Sequence, residues 1–497
     1  MNKSNLFIFL IILSGFVLNM LSVQVVGSSF KFLQGELNAS YEQISYIMTA
    51  SLIAEVIIIP FSGWLARLLS YRVLFIISLS GFLLASLGCG LANNFLSMVI
   101  FRGLQGFFGG AMLPIMVANI YILFKPKDVP FILSLSATVG VSSIAFGPII
   151  GGYLTEFFNW RWMFLYNIPI GITILITALI YLDLNKKEKN LINKIDFQGI
   201  LFLAVGLISL LIFMEEGQKR DWFDSNFITL NFILFTVGIL LFFNREIKTK
   251  NPIIDLTIFS YKNFIIGCVC CIVFAITLYI PIFLLPIFLS EMRLIGPIDI
   301  GFIVASMGIG MMLAGPLVGK TLELLGVRFV IIFGCLITGL GTYMQSLTTA
   351  EYVFGDFFLS QLLKGIGTQF LFMGSQYMCF INLEEKKKDN AASMFTLTLR
   401  LGAAVSIAMS SNYFSKWKKE FFGQITFETN YLSSPYYQNY KFNQIDENLD
   451  LFKENLYMIS EREALVMSFN KIAFYSTWTV LIPIVLVWFF KYKPDKK

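Results

Sequence analysis

Histidine is absent from this 497-residue chain. Its absence removes imidazole proton relays and any metal site that needs histidine to complete it. Charge is also scarce: 14% of residues are Asp, Glu, Lys or Arg, against 57% hydrophobic, with Phe alone contributing 52. That balance is far from the composition of a soluble domain. Only six cysteines occur, Cys89, Cys268, Cys270, Cys271, Cys335 and Cys379, all within apolar runs, where packing as small hydrophobes is the expectation. The Cys-x-Cys-Cys run at 268–271 therefore implies no metal. No constellation of catalytic groups stands out, so an enzyme is not expected.

What the chain has in excess is long apolar sequence. Runs able to cross a bilayer as helices recur at about 6–29, 44–66, 73–92, 96–118, 131–156, 162–182, 197–215, 226–244, 264–289, 300–319, 329–347, 356–380, 391–413 and 471–490. The fold class expected is an all-α polytopic membrane protein with fourteen transmembrane helices. The first run is too long for a cleavable leader and lacks a small-x-small cleavage site, so it is read as a span. Basic residues crowd every second connection, and the short connections between hold only Lys31, Arg161, Lys219, Arg220 and Arg293. Both termini are therefore expected in the cytoplasm. The net charge of +6 is spread over many loops and reads as this topology signal, not as affinity for nucleic acid.

An internal repeat organises these spans. PFSGWLARLLSYRVLFI at 60–76 aligns with PLVGKTLELLGVRFVII at 316–332, pairing Pro60 with Pro316, Gly63 with Gly319 and Arg72 with Arg328. RGLQG at 102–106 aligns with QLLKG at 361–365. The reading is a six-span half over 1–183, an inserted two-helix segment with charged cytoplasmic linkers over 184–250, and a second six-span half over 251–497. The second half carries a long polar connection near 415–470 on the outer side. Two such halves imply a binding site between them near the midplane and alternating access by rocking.

Ionisable residues inside apolar runs are the candidates for function. Arg102 shares a small, polar helix face with Gln105, Gly106 and Gly109, and is either a clamp between helices or a cation lining a wet cavity. Lys364 stands at the repeat position of Gln105, and Arg400 lies in MFTLTLRLGAAVS. Against these three cations one acid lies deep, Glu55, on a stripe with Ser51 and Ser62. It suits either proton exchange or a fixed ion pair with Arg102 or Arg400. Glu215, Glu216, Asp299 and Asp356 lie nearer span ends, where solvation is the expectation. An excess of buried cations favours neutral or anionic lipophilic ligands over dications.

Several motifs resemble one family. GPIIGG, with Gly147, Pro148, Gly151 and Gly152, is similar to the antiporter motif of the major facilitator superfamily. WRWMFLYNIPIG at 160–171 resembles a signature of its fourteen-span branch, the drug:proton antiporters of the EmrB/QacA type, and RGLQG resembles that family's span 4 motif. DWF at 221–223 and NPIIDLTIFSYKNF at 251–264 resemble the EmrB branch specifically. The resemblance implies multidrug efflux, and hence antibiotic resistance, driven by the proton gradient without a cofactor. It further implies residence in a bacterial inner membrane among its lipids, and an EmrA-like periplasmic adaptor with a TolC-like outer-membrane channel as partners. It assigns Arg102 to proton transfer and the loop containing Gly63, Arg67 and Arg72, with its repeat at Gly319 and Arg328, to gating.

The departures matter. Arg67 and Ser70 stand where the family's gating loop has an acid and a second glycine. Ser22, followed by Gln24, stands where its first span has an aspartate, which makes Glu55 the candidate to replace that group. A proton-independent exporter or a metabolite importer of the same fold is the first alternative. A polytopic membrane glycosyltransferase is the second, disfavoured because the outer loop at 31–43 offers only Glu36 and Glu42.

Overall fold

The computed structural model describes residues 3–40, 43–125, 128–182, 196–249, 256–293, 295–352, 354–381, 383–428 and 449–490. Every apolar run falls on a helix, and the described residues contain no strand, as a chain must be when its backbone polar groups have only each other in hydrocarbon. The first half comprises α1 (Lys3–Gln24), a short α2 (Phe30–Leu37), α3 (Ile44–Leu69), α4 (Tyr71–Leu91), α5 (Phe95–Gly110), α6 (Met112–Leu123), α7 (Val129–Phe157), α8 (Trp162–Leu165) and α9 (Asn167–Tyr181). The inserted pair is α10 (Phe197–Glu216) and α11 (Asn226–Lys248), and the second half holds α12 (Lys262–Arg293), α13 (Pro297–Gln345), α14 (Phe354–Phe380), α15 (Glu385–Glu428), α16 (Leu449–Thr479) and α17 (Leu481–Leu486). Among the described residues ten helices are long and apolar enough to cross a membrane, eleven if a bent pair within α7 counts as one span. The protein is a multi-pass, all-helical membrane protein.

The repeat is written into the backbone. α13 contains two spans joined at Gly326, whose φ of 79° breaks the helix. At the repeat-related junction of α3 and α4 stands Ser70 with φ 89°. Both loops make the same left-handed turn, which glycine adopts freely and serine does not. Ser70 is held there in part by its hydroxyl, which accepts the Val73 amide and so caps α4. The helix contacts repeat as well. A side chain at Gly106 would strike the Ser51 carbonyl, and one at Gly365 would strike that of Met307, so in each half the fourth span lies backbone-to-backbone on the second.

Two sequence expectations are corrected. The polar connection drawn over 415–470 is mostly helix: α15 runs on to Glu428 and α16 begins at Leu449, leaving only 429–448 outside the described residues. The 44 residues of α15 make a rod of about 66 Å, roughly twice the hydrocarbon thickness, so its charged C-terminal turns lie beyond the bilayer. Lys418 joins Glu291 of α12 and Glu461 of α16 there, at 3.0 and 3.2 Å. Glu215, in turn, is buried and accepts the Ser45 hydroxyl at 2.9 Å instead of meeting solvent. With Tyr46 donating to Glu216 and Asn412 donating to the Met214 carbonyl, the end of α10 is pinned to both α3 and α15. α10 thereby lies along the seam between the two halves, with α11 packed on it.

Candidate functional site

α3 and α15 meet across that seam, and they bring Glu55 and Arg400 together. The Arg400 Nε lies 2.9 Å from Glu55 Oε2, with both side chains buried (3% and 0% exposed, respectively). Asn19 of α1 donates to the other carboxylate oxygen at 3.0 Å. Arg400 also reaches the Tyr279 hydroxyl of α12 at 3.4 Å and the Met20 sulfur of α1 at 3.1 Å. Four helices, two from each half, thus converge on one ion pair. Of the two partners the sequence left open for Glu55, the structure selects Arg400.

Arg102 has a different surrounding. Its Nε donates to the Ile47 carbonyl, Nη1 to the Ser22 carbonyl and Gln105 Oε1, and Nη2 to the Val23 carbonyl and Ser51 Oγ, at 2.7–3.2 Å. A guanidinium has five N–H donors, and each one here has a protein acceptor. Gln105 passes the chain on to Ser86 at 2.7 Å, Asn167 donates to the same hydroxyl at 3.4 Å, and Ser22 donates back to Asn167 at 2.8 Å. The ring closes within the first half, with Phe164 beneath the guanidinium. Carbonyl dipoles, not a carboxylate, balance this charge, which is the clamp arrangement between spans 1, 2 and 4. Ser22, where the family's aspartate is expected, faces this ring, while Asn19, one turn away on α1, faces Glu55.

Lys364 sits in the second half at the repeat position of Gln105. It is buried, and its Nζ donates to Gln345 Oε1 at 2.7 Å, the counterpart of the Gln105 to Ser86 bond. The structure does not bring it to the Glu55–Arg400 pair; it lies inside its own half between α13 and α14.

The glycine motif packs the first half against itself and against the second. A Cβ at Gly151 would overlap the Val25 carbonyl, and one at Gly147 would lie 2.9 Å from Gln24 Cβ, so α7 rides directly on α1. Gly152 faces the Pro297 carbonyl of α13, and a Cβ at Gly301 of α13 would lie 2.7 Å from the Pro148 carbonyl. These contacts, with the Glu156 carboxylate accepting the Ile298 amide at 3.3 Å and Lys31 donating to the Ser290 carbonyl at 3.5 Å, join the halves at the end where α7 finishes and α13 starts.

Arg72 and Arg328, two of the arginines that the resemblance assigns to gating, bond within their own halves. Arg72 donates to the Leu179 carbonyl at the end of α9, and Arg328 donates to the Phe490 carbonyl that follows α17, at 2.6 and 2.9 Å. Each ties a third span to the last span of the same half. Gly319 has open space around it, whereas the side-chain positions of Gly63 and Arg67 lie outside the described residues. Sequence reasoning missed Asn19 and Tyr279; the available signal was one of two amides in the first apolar run and a lone phenol in the run at 264–289. All six cysteines are buried and unpaired, and the described residues hold no cluster able to bind a metal.

Comparison with known proteins accords with this geometry. The family model of the Major Facilitator Superfamily matches residues 12–288. The colistin resistance protein EmrB of Acinetobacter baumannii is 30% identical over 404 residues, 81% of this chain and 78% of its own. The multidrug export protein EmrB of Escherichia coli K12 is 28% identical over 92% of this chain and 90% of its own. A bacterial homologue of the human lysosomal transporter Spinster, solved inward-facing and unoccupied, shares the fold with a TM-score of 0.61 across the whole of both chains at 14% identity.

Proposed function

Because the chain belongs to the major facilitator superfamily, we propose that it is an inner-membrane efflux transporter that exchanges protons for amphipathic compounds by alternating access. The observation that carries this reading is the buried Glu55–Arg400 pair across the seam of the halves. An ionised Glu55 holds α3 to α15; a protonated one is neutral and leaves Arg400 without its counter-charge, so the closed seam loses its main electrostatic tie. Proton uptake from the outer side then favours separation of the halves, and proton release to the cytoplasm restores the pair. Binding a compound only where the pair is open links the two flows, since a ligand shifts an equilibrium by its differential affinity for the two states. Glu55 serves here in place of the absent span 1 aspartate, with Asn19 holding its second oxygen.

With Arg102 and Arg400 both neutralised by protein groups, the preference for neutral or weakly acidic lipophiles rests on the apolar character of the seam, lined by residues such as Met20 and Tyr279, more than on free positive charge. Termini in the cytoplasm, as the basic loops require, place the far ends of α15 and α16 in the periplasm. That paired helical extension is a suitable platform for a periplasmic adaptor leading to an outer-membrane channel, in a bacterium with two membranes.

The test is transport in proteoliposomes with and without an imposed pH gradient, using a weakly acidic uncoupler and a quaternary ammonium dye in parallel. Wild type is expected to export the former in a gradient-dependent way, and Glu55→Gln to abolish that dependence. Export by wild type that is indifferent to the gradient would establish the proton-independent alternative.

A further inference from the structure

Arg102 and Lys364 are buried cations on the fourth span of each half, Lys364 at the repeat position of Gln105 and Gln361 at that of Arg102, yet only Arg102 has an acceptor for every donor. The Lys364 ammonium has three N–H donors and, among the described residues, a single acceptor, Gln345 Oε1. The ammonium accepts nothing, so the Gln345 carbonyl oxygen must face it, and the amide nitrogen of Gln345 is left without a partner. One turn along α14 from Lys364, Gln361 is completely buried with neither amide atom bonded. A Cβ at Gly341 would lie 2.7 Å from the Lys364 stem and from the Ser360 carbonyl, so α13 and α14 pack closely there, which puts Gln345, one turn further along α13, near the level of Gln361. Two glutamine amides and the tip of a lysine therefore share one layer of the bundle. That layer holds a lysine amine and several N–H groups with too few acceptors. No ion pair to Lys364 is present among the described residues, and the terminal carbonyls of α13, whose dipole favours a cation, do not bond it.

We propose that Lys364, Gln345 and Gln361 form a site for a small monovalent anion, of which chloride is the abundant representative, inside the second half. A buried ammonium is strongly disfavoured without a counter-charge, and water would fill the hydrogen bonds without cancelling the charge. An anion does both: it accepts from the two free ammonium protons and from the amide nitrogens of both glutamines. The first half needs no such ligand because five protein acceptors already surround Arg102. The site lies apart from the Glu55–Arg400 pair, so it is independent of whether that pair couples protons.

The test uses the purified full-length protein in detergent, with chloride exchanged for gluconate at constant ionic strength. At about a hundredfold excess over its dissociation constant, chloride is expected to raise the midpoint of thermal unfolding by roughly 3 °C. Gln361→Leu, which keeps the ammonium, should weaken the apparent chloride affinity about tenfold, the value of one charge-assisted hydrogen bond. Lys364→Met should remove the response. Crystals grown in bromide should show an anomalous peak beside Lys364 Nζ, a readout that does not depend on either variant folding. Equal stability of wild type in both salts, an undiminished chloride response in Lys364→Met, or bromide-grown crystals with no peak at Nζ would each overturn the assignment.

Discussion

Removing one partner of the Glu55–Arg400 pair should cost more than removing both. At 2.9 Å and an effective dielectric constant of about 20, the attraction is about 6 kcal/mol, and it is opposed by a desolvation penalty of several kcal/mol for each ion. The intact pair is thus worth little against a neutral replacement, but a lone buried charge is not. Glu55→Gln leaves the Arg400 guanidinium with only Tyr279 and Met20, and Arg400→Met leaves the Glu55 carboxylate with only Asn19. Each single variant should lose about 3 kcal/mol, while the double variant should lose no more than either, a coupling of about 3 kcal/mol. With an unfolding entropy of about 2.1 cal/mol/K per residue, this corresponds to about 3 °C for each single variant in a chain of this length. Thermal unfolding of all four proteins in one detergent, at a fixed scan rate, closes the cycle. If the losses simply add, the two residues do not interact across the seam, and the reasoning about a shared tie fails.

Two further outcomes follow from the first half. Ser70→Gly relieves a left-handed residue that carries a side chain and forfeits only a weak helix cap, so it should raise stability by about 0.5 kcal/mol, read as a small upward shift in the unfolding midpoint; a decrease would show that the Val73 cap outweighs the strain. Arg102→Lys replaces five fixed donors by three and strands at least two of the acceptors now bonded, so it should cost about 2–4 kcal/mol with gradient-dependent export retained by the folded fraction; loss of coupling at unchanged stability would instead give Arg102 a direct part in proton movement.

Much of the architecture was legible because it rests on periodic burial. The apolar runs all became helices, and the aligned repeats at 60–76 and 102–106 reappear as matching backbone features, Gly106 on Ser51 beside Gly365 on Met307 and Ser70 turning as Gly326 does, although the alignment alone named none of those contacts. The site was legible only by residue type. Glu55, Arg102, Lys364 and Arg400 announce themselves as charges in hydrocarbon, and a helical wheel gives the face each one occupies. It does not say which helix lies opposite, so Glu55 had two possible partners and Arg102 two possible roles. The connection after span 13 was misjudged for a related reason: α15 beyond Ser415 mixes charges with a short apolar stripe, Trp417, Phe421 and Ile425, too polar overall to stand out as a span, and Lys418 and Trp417 hold it to α12 and α16.

The amino-acid sequence alone determined that this chain lives in a bilayer, that it is two related bundles with an inserted pair, and that a few charges must be sheltered among them, because hydrocarbon tolerates neither an unpaired backbone nor an unpaired ion. Only the tertiary structure decided how the charges are distributed: Arg400 to Glu55 across the seam, Arg102 to carbonyls within one half, and Lys364 to a single amide. Pairing depends on distances of a few ångströms between residues remote in the chain, and those are set by how glycine-lined helices pack, which no local pattern encodes.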